Sequence, residues 1–233
     1  MKYREMTRCP FCDSDGPWQM AIQPMRSEEV AVYERDETRY SLCHCGGYFQ
    51  NPMPTNDSIE EFYRSMYRTV CPQLSPSKKR AKRILPHLPQ TVGSMLDVGC
   101  ALGAFIQLAK ASGWEVSGVE PDEDSRGQAK QFGDIYQSLD KVDRAFDLVS
   151  AIHVLEHISD PMAFLGQLAE LVSPGGEMLV VVPRYEYLPP HLLAMGGEQI
   201  RMLFERIGIG EVELTVIQAK TYTMDVIAKA AIH

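Results

Sequence analysis

A chain of 233 residues has room for one large domain, or for a medium domain with a small companion, and 45% apolar against 23% charged residues argues against disorder. No stretch reaches the roughly 20 uninterrupted apolar residues that cross a membrane, and residues 1–6 lack the apolar core of a secretion signal, so a cytoplasmic protein with no membrane partner is expected. A net charge of −8 counts against a nucleic-acid partner, and the one dense basic patch, Lys78-Lys79-Arg80-Ala81-Lys82-Arg83, reads first as a solvated helix face.

Residues 1–54 form a unit rich in cysteine and aromatic side chains with little helical periodicity. Within it, 30–33 and 39–42 read as short strands meeting across a turn, and Asn51-Pro52-Met53-Pro54 marks its end. Six cysteines would suit disulfides in a secreted chain. Four of them instead fall in two close pairs, Cys9 with Cys12 and Cys43 with Cys45, while Cys71 and Cys100 stand alone. Thiolates so paired can converge on one tetrahedral zinc. Buried free thiols are the alternative.

A helical linker is expected over 55–90. Residues 57–67 carry Ile59, Phe62, Tyr63 and Met66 on one face, with Asn56 or Asp57 as cap, and a basic helix ends near Pro86. From 91 to 233 apolar strands alternate with helices. Strands are expected at 95–98, 115–120, 147–152, 178–182, 211–218 and 222–228, helices at 104–112, 122–132, 161–172 and 198–207, and a turn at 173–176. Such alternation predicts an α/β fold, doubly wound, with a mostly parallel sheet covered on both faces. The last two strands, joined by Ala219-Lys220-Thr221, can pair only as a hairpin.

The loop Asp97-Val98-Gly99-Cys100-Ala101-Leu102-Gly103 lies where a strand turns into a helix. Glycines there let the backbone approach a ligand, and the helix start offers free N–H groups. Glu120 ends the next strand, where a carboxylate can take both hydroxyls of a ribose. Together they point to a nucleoside. A nicotinamide or flavin enzyme would present Gly-x-Gly-x-x-Gly to a pyrophosphate, but here Ala101 takes the middle place and Asp97 precedes the first glycine. An acid beside the loop repels a pyrophosphate and suits a ligand carrying an ammonium and a sulfonium, such as S-adenosylmethionine (SAM).

The chain resembles class I SAM-dependent methyltransferases of the ubiquinone and sugar type. Asp97-x-Gly99-x-Ala101-x-Gly103 matches their first motif, with Ala where glycine is usual, and Val119-Glu120-Pro121 matches the ribose motif. Phe146-Asp147-Leu148-Val149 with Val154-Leu155-Glu156-His157-Ile158-x-Asp160-Pro161 resembles the fourth-strand motif, and Leu171-x-x-Pro174-Gly175-Gly176 the turn before the fifth strand. The resemblance implies a Rossmann-like seven-stranded sheet of order 3-2-1-4-5-7-6. It also implies that Asp97, Gly99, Cys100, Ala101, Gly103 and Phe105 surround the methionine end of SAM and that Glu120 and Pro121 meet the ribose. Ile152 and His153 then pass the sulfonium, and the segment 136–140, with Ser138, Leu139 and Asp140, borders the adenine. Residues 1–54 resemble the zinc-ribbon segment that precedes some such domains. There the second knuckle is usually Cys-x-x-Cys-Gly; this chain has one residue fewer, which leaves His44 as a substitute for Cys43 beside Cys9, Cys12 and Cys45.

Methyl transfer from a sulfonium depends on positioning, and a base helps when the acceptor carries a proton. His153 and His157 follow the fourth strand at the carboxyl edge of the sheet, where ligands bind. The segment Pro183-Arg184-Tyr185-Glu186-Tyr187-Leu188-Pro189-Pro190-His191 follows the fifth strand and is expected to overhang the same pocket. His157, His191, His153 and Tyr185 are therefore the catalytic candidates, with Tyr187 beside them; each also has a plain packing role open to it. A small-molecule acceptor, sugar nucleotide or secondary metabolite, is the leading expectation. An RNA or protein methyltransferase using the zinc module for recognition, and a SAM-binding partner protein without turnover, are the alternatives.

Overall fold

Leu179 and Val181 face one hydrophobic cluster while Val180 and Val182 face the other, all four fully buried. A strand alternating between two apolar clusters belongs to a sheet covered on both sides. The computed structural model describes residues 2–24, 37–65, 78–184, 191–218 and 224–232. In chain order its strands are β1 (Tyr3–Arg4), β2 (Gln19–Pro24), β3 (Glu37–Leu42), β4 (Tyr48–Gln50), β5 (Met53–Pro54), β6 (Ser94–Val98), β7 (Glu115–Val119), β8 (Asp134–Tyr136), β9 (Phe146–Ile152), β10 (Val172–Pro183), β11 (Leu193–Ala194), β12 (Glu213–Gln218) and β13 (Met224–Ala231). The helices are α1 (Asn56–Ser65), α2 (Lys78–Ile84), α3 (Ala104–Ala111), α4 (Glu123–Ala129), α5 (Pro161–Glu170) and α6 (Gly197–Arg206).

The main sheet runs β12-β13-β10-β9-β6-β7-β8, with β13 antiparallel to both of its neighbours and the other pairings parallel. Read from β8, this is the order 3-2-1-4-5-7-6. Two helices start on side-chain caps that the sequence displays: Asp122 accepts from Ser125 N at 2.8 Å, and Asp160 accepts from Ala163 N at 3.0 Å ahead of Pro161. On α2, Ala81 and Ile84 are buried while Lys78, Lys79 and Lys82 are exposed, so the basic patch is a solvated face. No described helix is long and apolar enough to cross a membrane.

Some elements differ from expectation. Residues 173–176, read as a turn, lie inside β10: Gly175 takes φ 79°, the register shifts between Val172 and Glu177, and two main-chain bonds to Ile232 keep the strand in the sheet. The strand β8 carries a single buried side chain, Ile135, and so left no alternation to read. Helix α1 begins at Asn56, with the Thr55 carbonyl taking the first helical bond, so Asn56 and Asp57 lie inside it rather than capping it. The strand expected at 30–33 lies outside the described residues.

The second sheet, β11-β4-β3-β2, binds the amino-terminal unit to the rest. Its strand β11 comes from the segment after β10 and pairs with β4 through Leu193 with Phe49 and Ala194 with Tyr48. Cys9, Phe11, Cys43, Phe49 and Met53 belong to the same hydrophobic cluster as Val180, Val182, Ile200, Leu203 and Phe204. A small strand-rich unit with little core of its own thus shares the larger one. Leu203, on α6, is fully buried in that shared cluster. Leu203→Ala should lower unfolding free energy in a denaturant titration by about 2–5 kcal/mol; a change within error would show that α6 does not join the two cores.

Candidate functional site

Parallel strands β6, β7, β9 and β10 all end at one edge of the sheet, and the segments that follow them assemble the site. After β6 the chain turns sharply: Gly99 and Cys100 both donate to the Val119 carbonyl, at 2.8 and 3.1 Å, and Gly99 takes φ 75°. A side chain at Gly99 would put its Cβ 2.5 Å from Val154 Cγ2, so glycine is required by the crowding as well as by φ. Ala101 at φ 48° lifts its N–H toward Glu120 Oε2 at 2.8 Å, and Gly103 at φ 82° starts α3.

Glu120 is only 9% exposed, and its other oxygen accepts from Asp122 N at 2.9 Å. Both carboxylate oxygens are thus aimed by main-chain donors. Asp97, at 3% exposure, accepts from the Ser150 hydroxyl at 2.7 Å. Burial pushes its carboxyl up to about 7, against the Ser150 hydrogen bond and with the Glu120 charge adding to the rise. Cys100 and Phe105, expected around a ligand, send their side chains into the cluster behind the loop, where burial raises the Cys100 thiol. Pro121 is exposed and Ile152 half-buried. In the 136–140 segment the Ser138 hydroxyl bonds the Asp140 carboxylate and holds it below its ordinary range.

The histidines follow β9 and β10 at the same edge of the sheet. His153 takes φ 55° and sits between two carboxylates at 1% exposure, with Nδ1 3.4 Å from Glu156 Oε1 and Nε2 3.2 Å from Asp225 Oδ1. His157 Nε2 lies 3.7 Å from the same Glu156 oxygen, and its ring meets that of His191 edge to face, centroids 4.8 Å apart. Glu156, His157 and His191 offer donor atoms within 4.8 Å of one another, a set that could also hold a cation. Three of the four catalytic candidates therefore come together; Tyr185, like Tyr187, lies outside the described residues. Sequence reasoning missed Glu156 and Asp225. A lone acid in the apolar run Met224-Asp225-Val226-Ile227-Ala228 was the available sign for the second.

The four cysteines of the amino-terminal unit also converge. Cys9 and Cys45 sulfurs are 3.8 Å apart, Cys12 and Cys43 3.6 Å, and all four lie within 4.8 Å of one another. Thiolates about 2.3 Å from a tetrahedral zinc stand about 3.8 Å apart, so the set fits that metal. His44 Nδ1 is 3.7 Å from Cys43 Sγ, outside the converging set. The contact with Cys9 pulls the Cys45 thiol down to about 5, and the same contact with burial pushes Cys9 up, as expected of thiols sharing a proton. Both knuckles are held by α6: Arg206 donates to the Pro10 and Phe11 carbonyls at 3.1 and 2.8 Å, and Gln199 to the Cys45 carbonyl at 2.5 Å. Cys71 lies outside the described residues.

Residues 65–222 match the family described as a methyltransferase domain. Over 117 residues the chain is 32% identical to a ubiquinone biosynthesis O-methyltransferase of Rhodopseudomonas palustris, an overlap of 46% of either chain. The chain thus spans about half the length of the curated relatives it matches. Among solved structures, magnesium protoporphyrin IX methyltransferase of Synechocystis with bound SAM superposes with a TM-score of 0.58 at 14% identity, over 74% of this chain and 94% of that one. A phosphoethanolamine N-methyltransferase of Haemonchus contortus, in complex with phosphomonomethylethanolamine and S-adenosylhomocysteine, gives 0.62 at 13%, over 94% and 70%. These likenesses establish the fold.

The Asp97 carboxyl yields a test that needs no ligand. Its folded value near 7 stands above the ordinary 3.8, so its contribution to stability is complete below about pH 4 and is lost as pH rises through 7. Relative to Asp97→Asn, the parent protein should lose roughly 3 kcal/mol of unfolding free energy between pH 5 and 9. Urea titrations at several pH values would show it. A difference that stays constant over that range would mean Asp97 is ionised throughout.

Proposed function

The chain belongs to the methyltransferase-domain family, and we propose that it moves the methyl group of SAM to a small-molecule acceptor, a sugar nucleotide or secondary metabolite foremost. Glu120 carries this reading. Its two oxygens are aimed by Ala101 N and Asp122 N beside a glycine turn, at the carboxyl edge of a parallel sheet, as a ribose diol requires. The names of relatives that act in ubiquinone biosynthesis or on phosphoethanolamine support the small-molecule class.

When bound, SAM supplies a methyl group on a positively charged sulfur that leaves readily. The chain's own residues then have three tasks. The 99–103 loop would hold the methionine end, with Asp97 facing its ammonium; a cation there draws the proton off a carboxyl poised near neutrality. Glu120 would orient the ribose. On the acceptor side, His157 or His191 would take the acceptor's proton as the new bond forms, and Glu156, 3.7 Å from His157 Nε2, would balance the resulting imidazolium. His153 suits that task less, because each of its ring nitrogens already faces a buried carboxylate. Its place is to hold the loop after β9 against β13.

Cys9, Cys12, Cys43 and Cys45 would hold one zinc. Four thiolates leave no open coordination position, so the metal's part is structural. The units of this reading are a zinc module over 1–54, a helical linker over 55–90 and the methyltransferase domain over 91–233.

Calorimetry with SAM and with S-adenosylhomocysteine tests the cofactor site. Each charge-assisted hydrogen bond to Glu120 is worth about 1.5–3 kcal/mol, so Glu120→Ala should weaken both ligands by at least about tenfold. Equal affinity in parent and variant would remove Glu120 from the site. For the metal, elemental analysis should find one zinc per chain in the parent and none in Cys12→Ser; full occupancy in the variant would break the four-cysteine assignment.

A further inference from the structure

Two buried polar side chains of the cysteine module hydrogen-bond the segment that carries His191. Tyr40 on β3 and Gln50 on β4 are directly opposed in register, and are 0% and 1% exposed. The Tyr40 hydroxyl donates to the His191 carbonyl at 2.7 Å, and Gln50 Nε2 donates to the same oxygen at 2.9 Å. The N–H on the other side of that peptide, Leu192 N, donates to the Glu156 carbonyl at 2.7 Å. Gln50 N then donates to the Leu192 carbonyl at 2.8 Å. Because a peptide is planar, the unit joining His191 to Leu192 is pinned along both edges. Its carbonyl is bonded to the module, and its N–H is bonded to the turn that carries His157.

Burying a phenol and an amide in so small a sheet is costly unless each is well bonded. Tyr40 donates its hydroxyl proton, and Gln50 one of its amide protons, to the carbonyl of His191, more than a hundred residues away, whose imidazole stands against His157; Gln50 Nε2 also donates to the Tyr40 hydroxyl at 3.5 Å. The strands that carry them are joined by the 43–47 turn, which holds Cys43 and Cys45. We propose that Tyr40 and Gln50 are positioning residues that set the His191 imidazole against His157, so that the cysteine module is a wall of the acceptor site rather than an appendage for docking macromolecules. This rests on the reading of His157 and His191 as the acceptor-facing pair. Metal at the turn then acts on turnover through β3 and β4, without touching the SAM side.

Nuclear magnetic resonance of the zinc-loaded full chain tests the positioning without any acceptor. The chain has six histidines, assignable by single substitutions. The parent should show a nuclear Overhauser cross-peak between the His157 and His191 rings. In Tyr40→Phe with Gln50→Met, which keep shape but remove both donors, that peak should vanish and the His191 resonances should move. Zinc should stay at one per chain, and SAM affinity should stay within about twofold. An unchanged cross-peak in the folded double variant would overturn the proposal. Should the double variant fail to fold, Tyr40→Phe alone decides: the peak should fall by at least about twofold, and full intensity overturns the proposal. The acceptor-side reading is judged separately, by SAM consumption over a panel of sugar nucleotides and hydroxylated aromatics. A His191→Gln protein as active as the parent would remove that reading, whereas an unmoved cross-peak removes the positioning.

Discussion

Four carboxyl groups, Asp97, Glu120, Glu156 and Asp225, are buried along the carboxyl edge of one sheet, each less than a tenth exposed. Taking negative charge out of water is expensive, and the cost falls only if donors or cations stand close by. The surrounding structure answers each of them. Glu120 is met by two main-chain N–H groups, Asp97 by a hydroxyl and by a shift toward its neutral form, and Glu156 and Asp225 by the His153 ring between them. The strained φ of Ala101 and of His153 serves those same contacts. An edge so built favours a cationic ligand over an anionic one, which is the electrostatic preference that separates a sulfonium nucleoside from a dinucleotide.

The cysteine module is bound to this edge by shared material. Phe11 and Phe49 lie in the cluster that covers one face of the main sheet, the two knuckles are gripped by α6, and one strand of the module's sheet comes from the segment that leads away from β10. The thiol cluster then has a mechanical meaning. Fixing the 43–47 turn fixes the strands on either side of it, and those strands touch the histidine wall.

Much of this was legible in the sequence. The apolar alternation of β6, β7, β9 and β10, the glycine turn, Glu120 at its strand end and the paired cysteines are local patterns, and local patterns survive in one dimension. The fold class, the strand order drawn from the family resemblance and the convergence of the cysteines came from these. What could not be read depends on contacts between distant segments. β8 has one buried side chain and gains its place only by pairing with β7. The two-residue strand β11 exists because β4 is there to receive it. Glu156 was visible only as part of a motif, since nothing in Leu-Glu-His tells that its carboxylate lies between two imidazoles. Phe105 and Cys100 were expected at the ligand from their position in a motif, and the motif alone does not tell that their side chains pack in the cluster behind the loop.

The strand β13 lies inside the main sheet, between β10 and β12, and it also supplies the Asp225 carboxylate to His153. During synthesis on the ribosome it emerges after every other strand of that sheet. Until it arrives, β10 presents an unpaired edge that is apolar from Met178 to Pro183, the kind of surface that recruits another chain or a chaperone. Sheet closure and completion of the histidine clamp are therefore one late event in the life of the nascent polypeptide. A chain stalled before that point would carry a finished 99–103 turn and an open flank, and quality control would meet it as an aggregation risk.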